Sequence, residues 1–189
     1  MTTLLYSGNF GLGHDLDTIL RAAATLNGPT NLRIRLVGGG KGLASVRRLV
    51  RELRLKDTEF LPSVPLYELA SLLAAGDIHL VTQRPRTEGL IVPSKIYGTL
   101  AVGRPVIFIG PGRCEVAHIV RESGCSFVVV PGDVGDAAGA LGTLALDGTL
   151  RDMMGERARR YYQKHFGRGR SVARIIDLIE RVAGSNCTV

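Results

Sequence analysis

Six short apolar runs, each followed by a loop and then a helical repeat, restrict this chain more than any other feature of its sequence. The runs are Leu4–Ser7, Arg33–Val37, Glu59–Leu61, Ile78–Val81, Val106–Ile109 and Phe127–Val130. Helical periodicity occupies the stretches near 15–27, 43–54, 66–75, 94–102, 114–123 and 134–147. Repeated strand–helix alternation predicts a doubly wound α/β domain: a six-stranded parallel sheet with helices on both faces. The runs VIFI and FVVV are apolar throughout, as expected of strands covered on both sides. Two further helices, near 150–165 and 170–183, close the chain. No repeat, low-complexity tract or linker interrupts it, so residues 1–189 are read as one domain.

In such a sheet ligands bind at the carboxyl ends of the strands, where loops run into helix N-termini. That confines the search to a few loops. The first, Gly8-Asn9-Phe10-Gly11-Leu12-Gly13-His14, follows a strand and opens a helix. It either presents N–H groups to a phosphate or is a glycine-rich turn needed for backbone geometry alone. The second, Gly38-Gly39-Gly40-Lys41-Gly42, is not a P-loop, because Gly42 stands where that motif needs a hydroxyl for Mg²⁺. It lines a ligand or merely turns the chain. The loop after the fourth strand says most. Pro93 keeps Val92 out of helix, Ser94 is a good N-cap residue, and a helix should start there. Lys95 then falls in the first turn, where a cation opposes the helix dipole. An anion held at the same place explains it; the alternative is a side chain that bends into solvent. Glu88, upstream in that loop, is an acceptor for sugar hydroxyls or a solvated carboxylate.

Composition removes other classes. Apolar residues make up 45% of the chain and charged residues 22%, a balance that supports a packed core. No apolar run approaches the roughly 18 residues of a membrane span, and Met1–Phe10 lacks the basic start of a signal peptide. The three cysteines, Cys114, Cys125 and Cys187, have no metal-ligand spacing and fit a reducing cytosol. In that setting the sequon at Asn186 is chance. The histidines His14, His79, His118 and His165 are scattered; His79 reads as a core residue and His118 as a surface one. No nucleophile elbow or zinc-protease motif is present, and no metal is expected. The net charge of +7 is uneven. Between Arg157 and Arg170 lie six basic residues and no acidic one. They form a solvated helix face, or meet anionic lipid or an acidic partner. Only Tyr161, Tyr162, His165 and Phe166 interleave with them, which argues against nucleic acid as a partner.

The segment Glu88-Gly-Leu-Ile-Val-Pro-Ser-Lys-Ile-Tyr-Gly-Thr-Leu-Ala-Val-Gly-Arg-Pro-Val-Ile resembles the signature of family-4 retaining glycosyltransferases of GT-B architecture. The likeness is to the bacterial branch that builds surface polysaccharides such as colanic acid and O-antigen. Tyr6–Gly11, Val37–Gly40, Phe60–Leu66, Gly110–Ile119, Pro131–Asp133 and Met154–Phe166 follow in the family's order. The resemblance implies a three-layer Rossmann-like domain, the C-terminal, nucleotide-sugar-binding half of such an enzyme. Its donor would be a UDP- or GDP-sugar, used without a cofactor to extend a polysaccharide or lipid-linked acceptor.

Site roles follow from the same resemblance. Gly8, Asn9 and Gly11 would approach the diphosphate or donor sugar, with Gly38 and Gly39 lining the site. The turn Leu61–Val64, including Ser63, would hold the base by backbone bonds. Lys95, beside Ser94, would neutralise the departing diphosphate, and Glu88 would contact the transferred sugar. The family's second glutamate falls on Gly98, so ribose recognition would pass elsewhere, with Glu115 the candidate. Asn9 and His14 stand where an Arg…Lys pair is common, which puts more of the diphosphate on Lys95. The acceptor-binding N-terminal half is expected to be missing here or to be a separate chain, leaving this half inactive alone. The expected location is the cytoplasm, with peripheral contact at the anionic inner face of the cell membrane. Two other readings remain: an NAD-type dinucleotide-binding domain, disfavoured because the second strand ends in Val37-Gly38 rather than an acid, and a non-catalytic interaction module using the basic C-terminal surface.

Overall fold

The computed structural model describes residues 1–26 and 31–185. Cys187 and the Asn186 sequon lie outside the described residues, as does Asn27 at the end of the first expected helix. The elements run β1 (Thr2–Ser7), α1 (Asp17–Thr25), β2 (Leu32–Val37), α2 (Leu43–Glu52), β3 (Thr58–Leu61), α3 (Leu69–Ala74) and β4 (Ile78–Thr82). They continue with α4 (Lys95–Val102), β5 (Val106–Ile109), α5 (Glu115–Ser123), β6 (Ser126–Val129), α6 (Val134–Leu146), α7 (Gly148–His165) and α8 (Arg168–Ser185). All six strands are parallel in the order β3-β2-β1-β4-β5-β6. The expected doubly wound Rossmann-like sheet is present. Chain direction across the sheet reverses between β1 and β4, and the loops after these two strands part there.

Side chains alternate across the strands, as the pleat requires. Leu4, Tyr6, Ile34, Leu36, Ile78, Leu80, Ile107 and Ile109 pack with α1 and α6 on one face. Val81, Val106 and Phe108 pack with α4 and α5 on the other. Helix α7 joins that second layer through Ala158, Tyr161, Tyr162 and Phe166. Its backbone presses against the turn after α4, so closely that a methyl group at Gly155 would lie 2.3 Å from the Gly103 carbonyl oxygen. The aromatic residues interleaved with the basic run are therefore packing groups: Phe166 meets Tyr97 at 4.8 Å and the Tyr161 hydroxyl donates to Glu122 at 2.6 Å.

Every strand but β5 differs from expectation by a residue or two at an end, and two of these differences have a clear cause. β1 starts two residues earlier, because Thr2 and Thr3 are buried with polar partners: the Thr2 hydroxyl donates to Ala145 O and Thr3 N–H to Asp77. β6 stops at Val129, and Val130 is 63% exposed. As an edge strand β6 is only half covered at Phe127 and Val128, so FVVV is not buried on both faces; VIFI is. His79 is a core residue as expected. It is buried between Leu73 O at 2.9 Å and the Thr99 hydroxyl at 3.2 Å, and burial pushes its pKa down to about 4. His118 is exposed.

Candidate functional site

The two glycine loops brace one another. Gly8 N–H donates to Val37 O (2.9 Å), Phe10 N–H to Gly39 O (2.8 Å) and Gly42 N–H to Phe10 O (2.7 Å). Gly38 N–H reaches the end of β3 at Leu61 O (3.0 Å). Two donors of the first loop, Gly8 and Phe10 N–H, are thus spent on its neighbour, which leaves more of any bound anion to side chains. Asn9 and Gly39 are exposed at the rim, and Gly8 and Gly11 half-buried beneath it. Leu61 and Ser63 are exposed at the β3 side of the same edge.

Lys95 projects into this cluster from the first turn of α4. Its Nζ is buried with no hydrogen-bond partner; among the described residues only Thr58 Oγ1 shares that condition. It lies 4.0 Å from the centre of the Tyr6 ring and 3.1 Å from where a methyl group on Gly8 would sit. Burial lowers its pKa to about 8. The ammonium has neither bent into solvent nor found a carboxylate, and an uncompensated buried charge is costly until an anion joins it.

Helix α4 does not begin as its sequence implies. Ser94 occupies the cap position, but its side chain makes no capping bond. Its dihedrals are already helical (φ −61°, ψ −17°), whereas a capping serine needs an extended backbone to turn its oxygen towards the following N–H groups.

Across the point where β1 and β4 part, His14 Nδ1 lies 2.9 Å from Thr82 O, and Arg84 Nε donates to His14 O at 2.9 Å. Burial, then the Lys95 charge, hold the His14 pKa below its ordinary value of 6.5. Glu88 and Glu115 are brought together in a neighbouring cleft of about 320 Å³, with Gln83, Gly89 and Arg113 also in its wall. The Gln83 side chain shapes that wall, its amide donating to Thr87 O (3.1 Å) and Ile91 O (3.0 Å). The fold therefore gathers Gly8, Asn9, Gly38 and Lys95 at the centre of the edge and sets Glu88 with Glu115 to one side. Leu61 and Ser63 stand on the other, joined through the Gly38 bond. Sequence reasoning missed Tyr6 and Gln83. Both are buried polar side chains at strand ends; Tyr6 opens the Tyr6–Gly11 segment of the resemblance but has no role assigned there, and Gln83 belongs to none of its segments.

Residues 2–161 match the family described as "Glycosyl transferases group 1". The chain is 31% identical over 116 residues to WcaI of Escherichia coli (strain K12), named for a colanic acid biosynthesis glycosyl transferase; the match covers 61% of this chain and 28% of that one. It is 25% identical over 164 residues to the N-acetyl-alpha-D-glucosaminyl L-malate synthase of Bacillus anthracis, covering 86% and 41%. The chain spans less than half the length of these curated relatives. Among solved structures it superposes on sucrose-phosphate synthase from Thermosynechococcus elongatus with a TM-score of 0.82 at 20% identity, over 97% of this chain and 46% of that one. Anabaena Alr3699/HepE, in complex with UDP-glucose, gives 0.77 at 18% identity over 97% and 48%. These likenesses show a shared GT-B-type fold.

Proposed function

The chain belongs to the group 1 glycosyl transferases, and from that premise we propose that it is the donor-binding, C-terminal half of a retaining enzyme using a UDP- or GDP-sugar. The buried, unpartnered Lys95 ammonium is the observation that carries the reading. A nucleoside diphosphate supplies the anion this charge lacks, and the site lies at the strand-order reversal where ligands of such sheets bind. As the bond from the anomeric carbon to the diphosphate oxygen breaks, the electron pair stays with the phosphate. Lys95 faces the charge that develops there from a position set before the reaction begins. Glu88, at the rim of the adjoining cleft, contacts the sugar; Glu115 shares that cleft, on the side of Lys95 away from the base, so ribose contacts fall to the loops between Lys95 and Leu61. The base lies over Gly39 towards Leu61 and Ser63. UDP-glucose bound to the structurally similar HepE protein supports a donor of this class, and the named role of WcaI supports a surface-polysaccharide or lipid-linked acceptor.

The second wall of the cleft is proposed to be an N-terminal half outside the present residues. Leu12, Leu66, Tyr67, Leu90 and Val92 ring the mouth with exposed apolar surface. On α8, Val172, Ile175, Ile176, Ile179 and Val182 are all half or nearly half exposed at helical spacing. An 18-residue helix is marginal in water without a packed face, and an abutting domain covers it. Peripheral contact of the basic α7–α8 surface with anionic lipid belongs to the same proposal.

Melting curves with UDP, GDP and NAD⁺ in excess EDTA test the donor assignment. UDP or GDP at about a hundred times its Kd should raise the Tm by about 5–10 °C, whereas NAD⁺ should leave it unchanged. A shift with NAD⁺ alone would transfer the site to the dinucleotide reading.

A further inference from the structure

We propose that Tyr6 is a positioning residue of this site: its ring face carries the Lys95 ammonium while its hydroxyl holds the glycine loop. The inference rests on the donor-site reading and adds a device to it. Tyr6 is fully buried at the end of β1, with Lys95 Nζ 4.0 Å above its ring. Its hydroxyl donates to Asn9 O at 2.6 Å. Phe10 and His14 pack against the same ring with centroids at 5.1 Å and 6.1 Å. One side chain thus touches Lys95, the first glycine loop and His14 together.

The chemistry of that choice matters. A carboxylate beneath Lys95 would neutralise the ammonium and compete with an incoming phosphate. A ring face stabilises a desolvated cation through its quadrupole and leaves the full charge available. Burial raises the phenol pKa, so the hydroxyl stays protonated and keeps its donor role towards the loop. The groups that face Lys95 are the Tyr6 ring from β1, His14 from the loop before α1, and the backbone of Gly8. His14 is the titratable group coupled to it, and it carries little charge above its lowered pKa.

The test is UDP or GDP affinity by calorimetry between pH 7 and pH 10. In the unsubstituted protein, affinity should fall as pH rises past about 8, where free Lys95 loses its proton. Tyr6→Phe keeps the ring and should keep that limb, losing about 3–10-fold through the freed loop. Tyr6→Leu, and a chain carrying pentafluorophenylalanine at position 6, remove the negative ring face. Both should move the limb about one pH unit lower and weaken binding at pH 7.5 more than Tyr6→Phe does. The fluorinated ring matches phenylalanine in shape, so it keeps the question open to answer even if Tyr6→Leu fails to fold. A merely structural role would weaken binding equally at every pH. A folded fluorinated variant with an unmoved limb overturns this inference alone. Absence of UDP and GDP binding by the unsubstituted protein overturns the donor-site reading and this inference with it.

Discussion

Replacing Lys95 with methionine is expected to stabilise the nucleotide-free protein and to lower its affinity for UDP or GDP at least a hundredfold. The two effects have one cause. Methionine keeps the aliphatic stem against Tyr6 and removes a buried charge that has no partner. In the folded chain the Lys95 pKa is about 8, against 10.5 for a free lysine. Below pH 8 both states hold the proton, and the cost of burying it is fully present. Between pH 8 and 10.5 the unfolded chain binds the proton more readily than the native one, so native stability rises with pH across that window. The rise amounts to no more than about 3 kcal/mol and disappears in Lys95→Met. Urea unfolding at pH 7 and pH 10, with calorimetric titration of nucleotide, measures both. A variant that loses stability and keeps affinity would place the charge outside the binding role.

Gly38→Ala should cost about 3–4 kcal/mol of stability and abolish nucleotide binding in whatever folded protein remains. The residue has φ +126°, and a methyl group on it would lie 2.1 Å from the Gly8 carbonyl oxygen. That oxygen belongs to the backbone, so no side chain can swing aside to relieve the contact. The loops must separate, which strains the Gly8–Val37 and Gly38–Leu61 hydrogen bonds and displaces Gly8 from beneath Lys95. Gly39→Ala is the control. Nothing lies within 4 Å of the added methyl and the backbone is unstrained, so stability should change by less than about 0.5 kcal/mol. Denaturant midpoints of the two variants decide the matter; equal losses would contradict the packing described here.

The contrast between these glycines shows how far the sequence could be read. Gly38 and Gly39 are identical letters, distinguished in the fold by the positive φ of Gly38 and the approach of the Gly8 carbonyl to it. The order of strands and helices was legible, because burial on alternate strand residues and on one stripe of each helix imposes a period. Boundaries failed where a polar residue found a private partner, as at Thr2 and Thr3, or where a strand lay at the edge, as at Val130. Ser94 failed as a cap because residue type says nothing of the dihedrals that Pro93 and the preceding loop impose. Lys95 was visible as a cation at the wrong end of a helix. Tyr6 was not, because it sits on the far side of the strand-order reversal, and its value comes from meeting Lys95 in space.

A Lys95 that keeps an unneutralised charge ready for a diphosphate reveals it in its own titration. The chain contains only four lysines, Lys41, Lys56, Lys95 and Lys164, so a ¹⁵N-lysine NMR spectrum is simple, and Lys95→Met assigns the resonance in question. Without nucleotide, the Lys95 resonance should titrate near pH 8, well below the roughly 10.4 of an unperturbed lysine. With UDP or GDP at saturation, that pKa should rise by about two units. A Lys95 that titrates normally without nucleotide, or an anomalous Lys95 that neither nucleotide moves, would contradict the account.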